Sequence, residues 1–379
     1  MAPSETKEAV QQQTPIEAAK AAIKEVAKTA EAATENKPQY IREPLKLKGV
    51  LDQYKSFEVT PIIGKEFPDA QITEWLAADN ADDLIRDLAI TISQRGVVFF
   101  RAQKDLTNDL QKQLVQKLGE LSGKPSTSTL HIHPIINADR DVKVADNEIS
   151  VISSELNKKL YSKTSLVLTQ SAAAGWHSDI TFEPIPSDYT LLKLVDLPST
   201  GGDTLWASGY EVYDRISKPY QKFLESLTAT YAQPGFNQAA ANNGFELYDK
   251  ERGAPENVGS VLEAIHPVIR TNPVTGWKSV FAVGSHCAKI NDLSERESKH
   301  LLDTFRNLIT ENHDLQVRHR WLNKHDLAIW DNRSVYHAAT FDYDEKRTGH
   351  RAVGLGERPY FDPASVSRRE ALGKDATVA

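Results

Sequence analysis

In the segment Trp176-His177-Ser178-Asp179-Ile180-Thr181-Phe182 an imidazole and a carboxylate stand two residues apart. In an extended chain that spacing puts both side chains on one face. One nitrogen and one oxygen donor suit a divalent first-row metal, and a third donor would complete a facial triad with three coordination positions open. The pair alone is weak, because 11 histidines among 52 acidic residues produce such matches by chance. Its bland reading is a His and an Asp in a surface turn. The third donor stands much later, in Ala328-Ile329-Trp330-Asp331-Asn332-Arg333-Ser334-Val335-Tyr336-His337. His337 follows a short apolar strand and a turn, the place where a ligand from a distant strand arrives. Taken singly it reads as a satisfied, partly buried histidine.

Beyond His337 comes Lys346-Arg347-Thr348-Gly349-His350-Arg351. If this stretch is extended, Arg347 and Arg351 share a face with Gly349 between them. Two guanidiniums aimed into one cavity are costly unless anions meet them, and their planar forks match carboxylate and sulfonate oxygens. The competing reading is a pair of solvated surface arginines. A zinc hydrolase built on His177, Asp179 and His337 is the alternative from another class of chemistry, but such a site needs neither arginine.

The elements that must position these groups are short strands with a few helices. Strand-like runs fall at Phe57–Ile63, Gly96–Phe100, Thr190–Val195, Thr204–Ala207, Ala264–Arg270, Ser279–Val283, Leu315–Arg320, Leu327–Trp330 and Arg351–Gly356. Amphipathic helices are expected at Asp82–Arg95, Asn108–Leu121, Tyr210–Thr228 and Ser294–Asn312. Many short strands without an alternating strand–helix rhythm predict a β-sandwich or jelly roll flanked by helices. Residues 1–40 are rich in Ala, Glu, Lys, Gln and Thr, with a helix-prone stretch at Ile16–Ala33. They read as a flexible N-terminal extension, and residues 41–379 as a single domain ending in a short flexible tail.

Composition narrows the class. The chain has 379 residues, 40% hydrophobic and 26% charged, enough for a substantial core. A net charge of -7 argues against a nucleic-acid partner. The single cysteine, Cys287, excludes an intramolecular disulfide framework and a Cys-rich zinc site, and it reads as a small buried side chain. No run of 18 apolar residues predicts a membrane span. The N-terminus lacks the apolar stretch of a secretory leader, so a cytoplasmic location is expected.

The ordered set of motifs resembles the taurine dioxygenase (TauD/TfdA) family of Fe(II)/2-oxoglutarate oxygenases, including its fungal sulfonate dioxygenase branch. Leu130-His131-Ile132-His133-Pro134, the Trp176–Phe182 segment, Leu197-Pro198-Ser199-Thr200-Gly201-Gly202-Asp203-Thr204-Leu205-Trp206, Trp330-Asp331-Asn332-Arg333, His337, Arg347 and Arg351 carry the resemblance. It covers about Phe57 to Tyr360. It implies a double-stranded β-helix fold, with Fe(II) on His177, Asp179 and His337 and with O2 and 2-oxoglutarate as co-substrates. Arg347 and the Thr204 hydroxyl would grip the far carboxylate of 2-oxoglutarate. Arg351 and His133, helped by backbone near Ile180, would hold the anionic head of the substrate, and only one of His131 and His133 should face the cavity. The places where the bacterial taurine enzyme holds the substrate's amine are here Ile136 and Ala173. The expected substrate is therefore a less polar organosulfonate, with an alkyl sulfate ester or a carboxylate as alternatives. The insertion-like stretch Lys143–Lys163 could form a lid or supply other contacts, and a homo-oligomer is expected.

Overall fold

The computed structural model describes residues 43–135, 146–156 and 172–374. The extension, its helix-prone stretch, the last five residues and Ile136 lie outside them. Seven strands form the main sheet in the spatial order Phe57–Glu58, Lys65–Phe67, Val97–Phe100, Leu327–Asp331, Ser187–Asp196, Thr348–Leu355 and Ile149–Ser153. All neighbours are antiparallel except Lys65–Phe67 with Val97–Phe100. Three-stranded sheets are made by Gln316–His319, Thr204–Ser208 and Val335–Ala339, and by Cys287–Ile290, Thr228–Ala232 and Glu263–Pro267. The expected jelly roll is thus present.

Strand periodicity explains the layers. Val98 and Phe100 point to one face of the main sheet, where they pack with Leu84, Leu88 and Ile92 of the helix Ala81–Arg95 and with Leu114 and Leu118 of Asn108–Leu121. Val97 and Phe99 point to the other face and meet Trp206, Val317 and Val335 of the opposing sheet. Two apolar faces are covered on opposite sides of the same strand, which is why Val97–Phe100 reads as an unbroken apolar run.

Three expectations need correction. The strand over Phe57–Ile63 stops at Glu58, because Thr60 Oγ1 accepts the backbone N–H of Ile63 at 2.9 Å and donates to its carbonyl at 2.7 Å, closing a local turn. The helix over Tyr210–Thr228 is two helices, Gly209–Asp214 and Lys218–Leu224, the second begun by Pro219, and Thr228 starts a strand. The strand over Ala264–Arg270 divides at Val268 into Glu263–Pro267 and Ile269–Thr271, which join different sheets. Within the candidate lid stretch, Ile149–Ser153 is the edge strand of the main sheet, pairing with Thr348–Ala352; residues 143–145 and 157–163 lie outside the described ones. Among the described residues no helix is long and apolar enough to cross a membrane.

Candidate metal and co-substrate site

The turn Asp331-Asn332-Arg333-Ser334 joins strand Leu327–Asp331 of the main sheet to strand Val335–Ala339 of the opposing one. It is fixed from within. Asp331 accepts Arg333 Nε at 2.7 Å, Arg333 Nη2 at 2.9 Å, Ser93 Oγ at 2.7 Å and Asn272 Nδ2 at 2.9 Å, with all four side chains buried. A buried carboxylate so fully satisfied holds the turn in one geometry. The strand that leaves it carries His337.

His337 meets the segment of the other two candidate ligands through the main chain. The His177 N–H donates to the His337 carbonyl at 3.1 Å, and the His337 N–H donates back at 2.8 Å. Asp179 follows two residues later, just before Ile180, whose φ of 49° turns the chain. One donor atom from each of His177, Asp179 and His337 lies within 4.8 Å of the others.

The donor set fits a divalent metal. His177 Nδ1 donates to the Gly175 carbonyl at 2.8 Å, which leaves Nε2 as the basic nitrogen. Asp179 Oδ1 accepts Arg351 Nη1 at 2.7 Å, while Oδ2 is buried with no hydrogen-bond partner. A buried carboxylate oxygen without a partner is costly, and a cation would satisfy it. Burial opposes the charge on Asp179, but Arg351, then His337 and His177, outweigh it and hold the carboxyl well below its usual range. Burial keeps His337 neutral, down to about 3, as a metal ligand must be.

Arg347 and Thr204 come together beside this triad. Arg347 is buried, its Nε donating to the Gly202 carbonyl at 2.9 Å and its Nη2 to Thr204 Oγ1 at 3.3 Å. Burial lowers its pKa, and no carboxylate of the described residues pairs with it. Gly202, at φ 70°, leaves room for this side chain: a Cβ there would stand 3.0 Å from Arg347 Cδ. Thr204 Oγ1 also accepts Trp321 Nε1 at 3.1 Å. With two donors on its oxygen, the hydroxyl proton is left to donate to a third group, and a carboxylate fits.

Sequence reasoning missed Trp321. Its signal was a single aromatic after a strand, which reads as core.

Arg351 bonds the candidate ligand Asp179, and His133 feels the charges of both. Arg351 Nε is buried without a hydrogen-bond partner, while Nη1 donates to Asp179. His133 Nδ1 accepts the Ile135 N–H at 3.2 Å, which places the ring proton on Nε2. Burial and the charge of Arg351 push its pKa well down, so it is a neutral donor. His131 turns away to Glu183 at 3.2 Å, a carboxylate that Arg252 also holds. Ile180 is buried next to Asp179.

Ala173 does not join this group. It lines a separate groove of about 650 Å³ with Trp176, Val283, Leu293 and Leu302. Cys287 is buried, and burial alone pushes its thiol up to about 12, so it is not a nucleophile.

Sheets folded as a jelly roll around a His-x-Asp…His constellation, with a buried arginine beside it, define a non-haem metal oxygenase. Comparison with known proteins makes this particular. The family described as taurine catabolism dioxygenase TauD, TfdA family matches residues 55–353. An alpha-ketoglutarate-dependent dioxygenase of Neocamarosporium betae is 55% identical, the match covering 87% of this chain and 99% of that one. The alpha-ketoglutarate-dependent sulfonate dioxygenase of Saccharomyces cerevisiae is 33% identical, over 82% of this chain and 69% of that one. The crystal structure of a taurine dioxygenase from Burkholderia xenovorans superposes with a TM-score of 0.59 at 23% identity, covering 82% of this chain and 92% of that one, a likeness of fold. The chain belongs to the TauD/TfdA family. It is a dioxygenase dependent on alpha-ketoglutarate (2-oxoglutarate), and it uses Fe(II) and O2.

Proposed function

We propose that this dioxygenase hydroxylates a small anionic organosulfur compound at the carbon next to sulfur, with His177, Asp179 and His337 as the iron ligands. For a sulfonate, the hydroxylated carbon then sheds sulfite to leave an aldehyde; of the two oxygen atoms of O2, one enters that hydroxyl and the other enters the succinate formed with CO2 from 2-oxoglutarate. The enzyme is read as a cytoplasmic scavenger of sulfur. The observation that carries this reading is Arg351, whose Nη1 is held by Asp179 while its Nε is buried without a partner.

Bound iron and 2-oxoglutarate supply the oxidising chemistry. The protein residues do the rest. Arg347 and the Thr204 hydroxyl hold the far carboxylate of 2-oxoglutarate. The Nε/Nη2 edge of Arg351 and the Nε2–H of His133 hold the oxyanion head, with backbone near Ile180 beside it. Because Arg351 also touches Asp179, the head group is fixed relative to the metal ligand itself. Such fixing selects which C–H bond is presented, and a misplacement of about 1 Å can cost on the order of 100-fold in rate.

The relative from Saccharomyces cerevisiae is named for sulfonates, whereas the more similar one from Neocamarosporium betae carries no substrate in its name. The test is O2 uptake with Fe(II), 2-oxoglutarate and a panel of alkyl sulfonates, alkyl sulfates and carboxylates. Coupled uptake with sulfite release supports the sulfonate reading. Sulfate release moves the substrate to sulfate esters, and uptake with carboxylates alone rejects organosulfur chemistry.

A further inference from the structure

Asn332 is buried at 1% exposure in the turn that precedes His337, and each polar atom of its side chain is used. Its Oδ1 accepts the backbone N–H of Asp179 at 3.0 Å and the indole N–H of Trp330 at 3.1 Å. Its Nδ2 donates to Ser187 Oγ at 3.0 Å and Thr190 Oγ1 at 2.8 Å, and its own N–H donates to the Asp188 carbonyl at 2.8 Å. One amide therefore ties three chain segments together: the turn with Asp179, the strand Ser187–Asp196, and the strand Leu327–Asp331.

The indole it holds matters as well. The Trp330 ring lies 4.9 Å from the His337 ring, tilted by 53°, and His337 Nδ1 has no hydrogen bond to hold the imidazole. His177 is oriented by Gly175, and Asp179 by Arg351 on Oδ1. For His337 the contact that sets the ring is packing, against Trp330 on one side and the His177 ring at 4.3 Å on the other. Asn332 thus sets the main chain under one acidic ligand and, through Trp330, the plane of an imidazole ligand.

We infer that Asn332 is the positioning residue of the metal site, acting on Asp179 through the backbone N–H and on His337 through Trp330. This rests on the reading of His177, Asp179 and His337 as the metal ligands. Nothing else in the turn substitutes for it: Asp331 and Arg333 satisfy each other behind the turn, and Ser334 Oγ is buried without a partner. Ile180, with its positive φ, adds a reason for a clamp, since a β-branched residue in the left-handed region must be held there by its surroundings.

The test is Mn(II) affinity, measured on the full chain by loss of the free-ion paramagnetic signal, together with thermal unfolding. Asn332→Ala is expected to weaken Mn(II) binding roughly 10- to 100-fold, the usual cost of losing a group that orients ligands. Asn332→Asp keeps the acceptor atom and is expected to bind within about fivefold of wild type. Asn257→Ala is the control. Asn257 is equally buried and its amide bonds Ile185 N–H and carbonyl at 2.9 and 2.8 Å, away from the ligands. It should lower thermal stability without moving Mn(II) affinity.

Wild-type affinity in Asn332→Ala, or equal losses in Asn332→Ala and Asn257→Ala, overturns the inference. If Asn332→Ala does not fold, a loss beyond tenfold in Asn332→Asp overturns it. Asp179→Ala separates the two layers of the argument. If that variant binds Mn(II) as wild type does, the ligand assignment falls and this inference with it. If it loses Mn(II) and Asn332→Ala does not, only the role of Asn332 is rejected.

Discussion

Arg351 donates to Asp179 at 2.7 Å, so the residue expected to hold the substrate is also bonded to an expected metal ligand. The Asp179 side chain is buried and that of Arg351 is 12% exposed. A charge in such a place contributes through its geometry as well as its sign, and removing one partner leaves the other uncompensated.

Arg351→Ala is therefore expected to raise substrate KM by one to two orders of magnitude, a loss of about 1.4–2.7 kcal/mol, and to weaken iron binding as well. Arg351→Lys keeps the charge but not the fork. It should restore iron binding more fully than substrate KM. Steady-state kinetics beside an iron titration measures both, and a Lys variant equal to wild type in substrate KM rejects the bidentate contact.

Trp321→Phe removes the indole N–H from Thr204 Oγ1. A single neutral hydrogen bond contributes about 0.5–1.5 kcal/mol, so 2-oxoglutarate KM should rise roughly two- to tenfold. Iron affinity should stay unchanged. Arg347→Ala should act on the same KM much more strongly. A Trp321→Phe variant that changes substrate KM instead would place Thr204 on the wrong ligand.

The three residues that come together as candidate ligands were legible because their motifs are local: Trp176–Phe182 contains two of them, and the turn after Leu327–Trp330 announces the third. Arg347 and Arg351 were legible for the same reason. Trp321 and the use made of Asn332 were not, since each acts through partners more than 100 residues away in sequence. The strand Ile149–Ser153 was hidden in a stretch read as a candidate lid, because five residues carry little periodicity; its place is set by pairing with Thr348–Ala352. The shortened strand at Phe57 failed for the opposite reason. A local hydroxyl, Thr60, competes there with the ladder.

Acid should weaken the fold. Burial drives His266 and His319 down to about 3, helped by Arg270 and Arg101 respectively. The unfolded chain takes up these protons near ~6.5, so this stability is complete above that pH and is lost as pH falls toward about 3. Asp188 runs the other way. Burial raises its carboxyl to about 6, so its contribution is present in acid and is lost as pH rises through that value. Between the two values the histidines outnumber it, and urea midpoints should fall on acidification from neutral pH. His319→Gln should flatten that acid limb. An acid limb unchanged by the substitution would show that His319 is not part of the linkage.

The most direct test of the central claim compares wild type with Asp179→Ala. Each is loaded anaerobically with Fe(II) and 2-oxoglutarate, then exposed to O2 while bound iron and succinate are measured. The account predicts that wild type holds iron and forms succinate, and that Asp179→Ala loses most of both. An Asp179→Ala protein that binds iron and makes succinate as wild type does would contradict the assignment of His177, Asp179 and His337 as the site of this chemistry.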